Sequence, residues 1–128
     1  MELTKSELAV MDIIWKAGKP LSRSEIIELA EGASWQPSSI HILLNGLLKK
    51  GAIKEAGFVR SGKTFGRLYA SNIPCEEYYV NTVLGGRSSK TVLPLLFSAM
   101  IKSDEVSPEL IDELETMLQQ RRRELDGE

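Results

Sequence analysis

Ser38, Ser39, His41, Ile42, Asn45 and Lys49 recur at spacings that bring them to one face of a helix. Short hydroxyl, imidazole and amide side chains suit a helix that must come close to DNA bases. An amide at Asn45 can pair with an adenine, and an aliphatic Ile42 can touch a thymine methyl. Around them, residues 36–70 hold Lys49, Lys50, Lys54, Arg60, Lys63 and Arg67 against the single acid Glu55, a net charge of +5. Cations in that density can neutralise phosphates, the salt-dependent source of most DNA affinity. For the charge run alone, the alternative reading is a solvated basic surface. His41 fits a groove contact, a phosphate contact or a simply exposed polar residue.

Other chemistry lacks its parts. His41 is the only histidine and Cys75 the only cysteine, in different predicted elements, so neither of the usual nitrogen and sulfur ligand sets of a metal site can form. No glycine-rich loop follows a strand to cradle a nucleotide, and Gly85-Gly86-Arg87-Ser88 reads as a helix stop. The serines lack a base-bearing motif. The expectation is therefore no enzyme, no cofactor and no metal.

The elements that must position these residues can be read in order. Thr4 and Glu7 form a capping box that starts a helix at Lys5, with Leu8, Val10, Met11, Ile14 and Trp15 as its apolar stripe and Gly18 and Pro20 as its stop. Ser22 and Glu25 repeat the box and start a shorter helix running to about Glu31, stopped by Gly32. Pro37 opens a third helix after Gln36, a weak cap, and Gly51 closes it after Lys50. Its apolar face is Ile40, Leu43, Leu44, Leu47 and Leu48. The other face carries Ser38, Ser39, His41, Ile42, Asn45, Gly46 and Lys49. Two strands, Ala52–Val59 and Thr64–Ser71, then flank the turn Arg60-Ser61-Gly62-Lys63. Phe58, Phe65 and Tyr69 are expected to close the core. Arg60 and Lys63 would reach a phosphate or the minor groove. A helix-turn-helix followed by a basic-tipped hairpin is the layout of a winged helix.

Asn72-Ile73-Pro74 breaks the pattern, so residues 1–72 read as a winged-helix DNA-binding domain and 73–128 as a helical dimerisation region. A helix over Glu76–Leu84 offers Tyr79 and Val83. A second, Lys90–Ile101, offers Val92, Leu96, Phe97, Met100 and Ile101, with Pro94 tolerable only if it starts near Thr91. A third, capped by Ser107, offers Leu110, Ile111, Leu114, Met117 and Leu118. So thin a segment cannot bury these faces within one chain, whereas a second copy would bury them.

The fold class expected is mainly α with a small β-hairpin: an N-terminal winged helix-turn-helix plus a C-terminal helical dimerisation segment. Net charge is only −2, yet residues 1–72 sum to +3 and residues 73–128 to −5, an asymmetry that points to a nucleic-acid partner. No apolar run reaches the roughly 18 residues of a membrane span. The first residues, Met-Glu-Leu-Thr-Lys, lack a signal peptide's basic and apolar parts. With one cysteine and no internal disulfide, a cytoplasmic setting is expected.

Three stretches stand out together: Leu3-Thr4-x-x-Glu7-Leu8-x-Val10-Met11-x-x-Ile14-Trp15, Trp35-x-Pro37-x-Ser39-Ile40 and Leu47-x-Lys49-Lys50-Gly51. Gly85-Gly86 and Val106-Ser107-x-Glu109-x-Ile111-x-Glu113-Leu114 follow in the same order. With these stretches the chain resembles the penicillinase-repressor family (BlaI/MecI/CopY type). The resemblance covers nearly the whole chain. It implies a dimeric winged-helix repressor on dyad-symmetric operator DNA, blocking its own promoter and neighbouring resistance genes. In the β-lactam branch it also implies a membrane sensor protease, or its product, as a partner that leads to cleavage in the C-terminal helices. This chain departs from the pattern in three ways. His41 and Gly46 stand where relatives usually carry basic residues. The cleaved Asn-Phe pair falls on Ala99-Met100, so it is absent. The cysteine-rich metal-binding tail of the copper branch is missing too. The reading is a homodimeric, sequence-specific repressor. Its rival is a winged helix used as a protein-interaction module.

Overall fold

Every helix expected from the sequence forms, and what differs lies at their edges. The protein is described from a computed structural model at all residues except Glu31, Ala33, Ser34, Gly62, Lys63 and Glu128, and without the side chains of Ser61, Thr64 and Phe65. Helix α1 (Lys5–Ala17) starts as expected: Thr4 Oγ1 accepts from the Glu7 N–H at 3.1 Å, and Glu7 Oε1 accepts from the Thr4 N–H at 2.8 Å. Ser22 and Glu25 make the same reciprocal pair at the head of α2 (Arg23–Leu29). The end expected for α2, Glu31, lies outside the described residues; α2 itself stops at Leu29.

The 37–50 segment is not one uniform α-helix. Pro37–Ser39 forms a 3₁₀ turn, closed by the Ser39 N–H on the Gln36 carbonyl at 2.8 Å, before α3 (Ile40–Lys50) begins. Gln36 makes no side-chain cap, so the first turn tightens into i→i+3 bonds instead. Gly51, at φ +78°, takes the left-handed stop that other residues adopt only with strain.

The sheet has a strand that the sequence did not announce. β1 (Leu21–Ser22) pairs with β3 (Thr64–Ser71), which pairs in turn with β2 (Ile53–Ser61), all antiparallel, in the order β1-β3-β2. The register Glu55↔Tyr69 followed by Phe58↔Arg67 places one extra residue in β2. Gly57 takes φ +119° at this bulge. Past the bulge Phe58, Val59 and Arg60 are all exposed. Phe58, 67% exposed, closes no core, contrary to expectation; Tyr69 does pack on the core, and the Phe65 side chain lies outside the described residues. Mainly helical, with three helices against a small antiparallel sheet, this is a winged helix.

Val10, Met11 and Ile14 of α1, Leu21 of β1, Ile26 of α2 and Ile40, Leu44 and Leu47 of α3 form one buried cluster with Trp35, Ala52 and Ile53. Each aliphatic side chain fully buried there contributes about 1.5–3 kcal/mol. On the far side of α1, Trp15 Nε1 donates to Ser71 Oγ and to the Ile73 carbonyl, both at 2.9 Å. The Trp15 ring meets Tyr78 at 5.7 Å and Tyr79 at 6.0 Å. Those contacts tie α4 (Cys75–Leu84) to the winged helix, and the first compact unit runs from Met1 to Val83, past residue 72.

The second unit, Leu84–Glu128, consists of α5 (Ser89–Ile101) and α6 (Pro108–Leu125). None of its described residues is buried. Ser107 Oγ caps α6 by accepting from the Leu110 N–H at 3.1 Å. The expected range Lys90–Ile101 is one residue short at its start, and the condition of a start near Thr91 is not met. The helix begins at Ser89, so Pro94 lies inside it and the Lys90 carbonyl lacks the N–H that any other residue would offer. Both residues are exposed, so solvent can serve that carbonyl.

Candidate nucleic-acid interface

The α3 face and the wing border an open cleft of about 750 Å³, which also reaches the head of α2. His41 and Asn45 line it from α3, Arg60 and Arg67 from the wing, and Arg23 and Ser24 from α2. The one acid in the lining, Glu25, is occupied by its capping box. The Ser22 N–H and hydroxyl hold its carboxyl below the ordinary range, and the nearby charge of Lys19 helps against a small desolvation penalty. Arg23, Arg60 and Arg67 outnumber that one carboxylate, which leaves the lining net basic.

Each residue singled out from sequence has a definite place. Ser38, His41, Ile42, Asn45 and Lys49 are exposed and Ser39 is half-buried; Ile42, at 64% exposure, is an apolar group presented to solvent. Arg60 is exposed on β2, within the strand and not in the turn. Lys63 lies outside the described residues. Lys54 is exposed but lines a different cleft, of about 410 Å³, with Trp15 and Lys19. Lys50 is the clearest departure. Its Nζ bonds Glu7 Oε1 at 2.5 Å and the Glu2 carbonyl at 2.9 Å, which turns it toward α1. Gly46, expected on the polar face, likewise faces Glu7.

Arg23, Ser24 and Arg67 were missed as site residues. The position of Arg23 and Ser24 directly after the Ser22 cap, one helix before α3, was the available signal. Arg67 was counted as a cation, but its place beside the cleft depends on the hairpin register. It pairs with Glu55 at 2.9 Å, both ends exposed, an interaction worth roughly 0–1 kcal/mol that a phosphate could displace.

Among the expected dimerisation residues, Tyr79 and Val83 are exposed on α4, Tyr79 at the edge of the Trp15–Tyr78 cluster. On α5, Val92, Leu96 and Phe97 are half-buried, while Met100 and Ile101 are exposed. On α6, Leu110, Ile111, Met117 and Leu118 are exposed and Leu114 is half-buried. Among the described residues no group of three His, Cys, Asp or Glu side chains is placed to hold a metal ion, and no helix is long and apolar enough to cross a membrane.

The model of the penicillinase repressor family matches residues 3–120. The chain belongs to that family. The penicillinase repressor of Bacillus licheniformis is 29% identical over 128 residues, covering 94% of this chain and 92% of its own. An uncharacterized 16.5 kDa protein of Latilactobacillus sakei is 37% identical over 73 residues, or 57% of this chain and 47% of that one. The solution structure of monomeric Bacillus licheniformis BlaI with the blaP half-operator is 33% identical, with a TM-score of 0.44 over 61% of this chain and 89% of that one. As a member of the penicillinase repressor family, the chain is a winged-helix DNA-binding transcriptional repressor and not an enzyme.

Proposed function

We propose that the chain represses transcription in the cytoplasm as a homodimer on a dyad-symmetric operator, placing two α3 helices in successive major grooves about 34 Å apart. The observation that carries this reading is the face of α3. Ser38, His41, Ile42 and Asn45 stand exposed beside a cleft rimmed by arginines, with short side chains that permit close approach to bases. Asn45 pairs with an adenine and Ile42 meets a thymine methyl, while Ser38, Ser39 and His41 reach neighbouring base edges or phosphates. Lys49, Lys54, Arg60 and Lys63 neutralise phosphates, joined by Arg23 and Arg67. Lys50 is left out of that set because Glu7 already holds it.

Pairing is assigned to the apolar side chains of α5 and α6, and to Tyr79 and Val83 of α4. A segment none of whose described residues is buried cannot repay the entropy of ordering its helices unless another surface covers it. Occupying a promoter then blocks transcription without any chemistry. The regulated genes are read as the chain's own promoter and neighbouring resistance genes, in line with the penicillinase repressor it is similar to. Release by a sensor protease has no support at Ala99-Met100, where the cleavable pair is missing.

Titration of the full chain onto its own upstream DNA and onto scrambled DNA tests this, by fluorescence anisotropy at several salt concentrations. The expected result is specific binding at two chains per site with a log–log salt slope of several units. Equal, weak binding to both DNAs overturns it.

A further inference from the structure

Glu7 is a carboxylate almost removed from solvent, 5% exposed, at the start of α1. A capping box uses one such carboxylate to hold one backbone N–H, normally at a solvent-facing helix end. Here the same Oε1 that accepts from Thr4 also accepts from Lys50 Nζ at 2.5 Å, across 43 residues of chain. The other oxygen lies where α3 has no side chain: a Cβ built on Gly46 would meet Glu7 Oε2 at 2.8 Å. Burial alone raises the Glu7 carboxyl, but the Lys50 and Thr4 bonds together with the charge of Lys50 outweigh it and hold the group below its ordinary value. The carboxylate is thus a charged peg set between two helices. At about 100° per residue, Lys50 sits about 100° round α3 from Lys49 and reaches toward α1, its side chain still 35% exposed.

We propose that Glu7 is the positioning residue of the recognition helix: through Lys50, and through the gap that Gly46 leaves, it sets the rotation of α3 on α1 and withholds one cation from DNA. Gly46 and Lys50 then form a matched pair with Glu7. A larger residue at 46 displaces the carboxylate, and loss of the carboxylate frees the lysine. The inference rests on the DNA-binding reading for its first test and is independent of it for its second.

The first test measures the salt slope of operator and scrambled-DNA binding for full-length variants. Lys50→Gln leaves the slope at its native value, because a lysine held by Glu7 releases no counterion, and lowers the operator-to-scrambled ratio by about tenfold, the order of one mismatched base pair. Glu7→Gln steepens the slope by about 0.9 on both DNAs, since the freed Lys50 now reaches phosphate, and lowers the same ratio. A slope flattened by Lys50→Gln, or unmoved by Glu7→Gln, overturns the proposal. The second test needs no DNA. Gly46→Ala in a Glu7→Ala background raises Tm by the full increment of a better helix former. In the native chain the same change raises Tm by less, or lowers it. Equal shifts in both backgrounds overturn the clamp, whatever the DNA experiments show; absence of salt-dependent binding by the native chain overturns the DNA reading and leaves the thermal comparison to decide the clamp.

Discussion

The two compact units of this chain are built on opposite principles. Met1–Val83 closes eleven of its described hydrophobic residues into one buried cluster, α1 and α2 start at reciprocal capping boxes, and its tryptophan Nε1 at position 15 finds two acceptors. Leu84–Glu128 has helices nearly as regular, with Ser107 capping α6, yet none of its described residues is buried. Met100 and Met117 are 68% and 62% exposed. Local signals suffice to define a helix, but only apolar burial makes one stable in water. The first unit carries its own stabilising surface within the chain. The second needs that surface from elsewhere.

The contrast can be broken most severely in the core. Leu47→Ala removes a fully buried side chain of α3 and is expected to lower the stability of the first unit by about 2–5 kcal/mol, read from the urea midpoint. Met117→Ala on exposed α6 should leave that transition within about 0.5 kcal/mol. A large effect at Met117 on the first unit's unfolding would erase the difference between the units.

Next in size, Leu118→Lys places a charge on the apolar stripe of α6. Sedimentation equilibrium is expected to show a dimer turned into monomer, while the first unit unfolds at an unchanged temperature. A fragment ending at Val83 should likewise remain folded and monomeric, with operator affinity reduced by at least about a hundredfold, as expected when two tethered half-site contacts become one. A fragment that still dimerises would move the pairing surface into the first unit.

Smaller effects separate the roles within the winged helix. Folding lowers the carboxyls of Glu7 and Glu25 below their ordinary value of 4.5, so the unfolded chain takes up protons first as pH drops. Their contribution is complete above that value and is lost as pH falls through the folded-state values. Glu7→Gln should therefore shallow the acid side of the stability profile, and an unchanged profile would remove Glu7 from the account. Smallest of all, Lys54→Ala should flatten the salt slope by roughly one unit on every DNA sequence. Asn45→Ala should instead change which base is preferred. Equal losses from both on all sequences would mean that α3 does not read bases.

Much of this protein follows from its sequence by itself. The two capping boxes, the Gly18 and Gly51 stops, Pro37, the Ser107 cap and the apolar stripe of α3 all act over three or four residues, the reach of one helical turn. Those signals place the helices and the hairpin, and with the charge asymmetry they point to DNA. Tertiary structure alone decided what depends on distant neighbours. It turned Lys50 toward Glu7, set Gly46 against the same carboxylate, added β1 to the hairpin, and brought Arg23 and Arg67 to one cleft. It left Phe58 exposed beyond a bulge and drew α4 onto Trp15. A periodic pattern says which face of a helix is apolar. Which polar side chain meets which is decided only when segments far apart in sequence are packed together, because hydrogen bonds and steric exclusion act within a few ångströms in space.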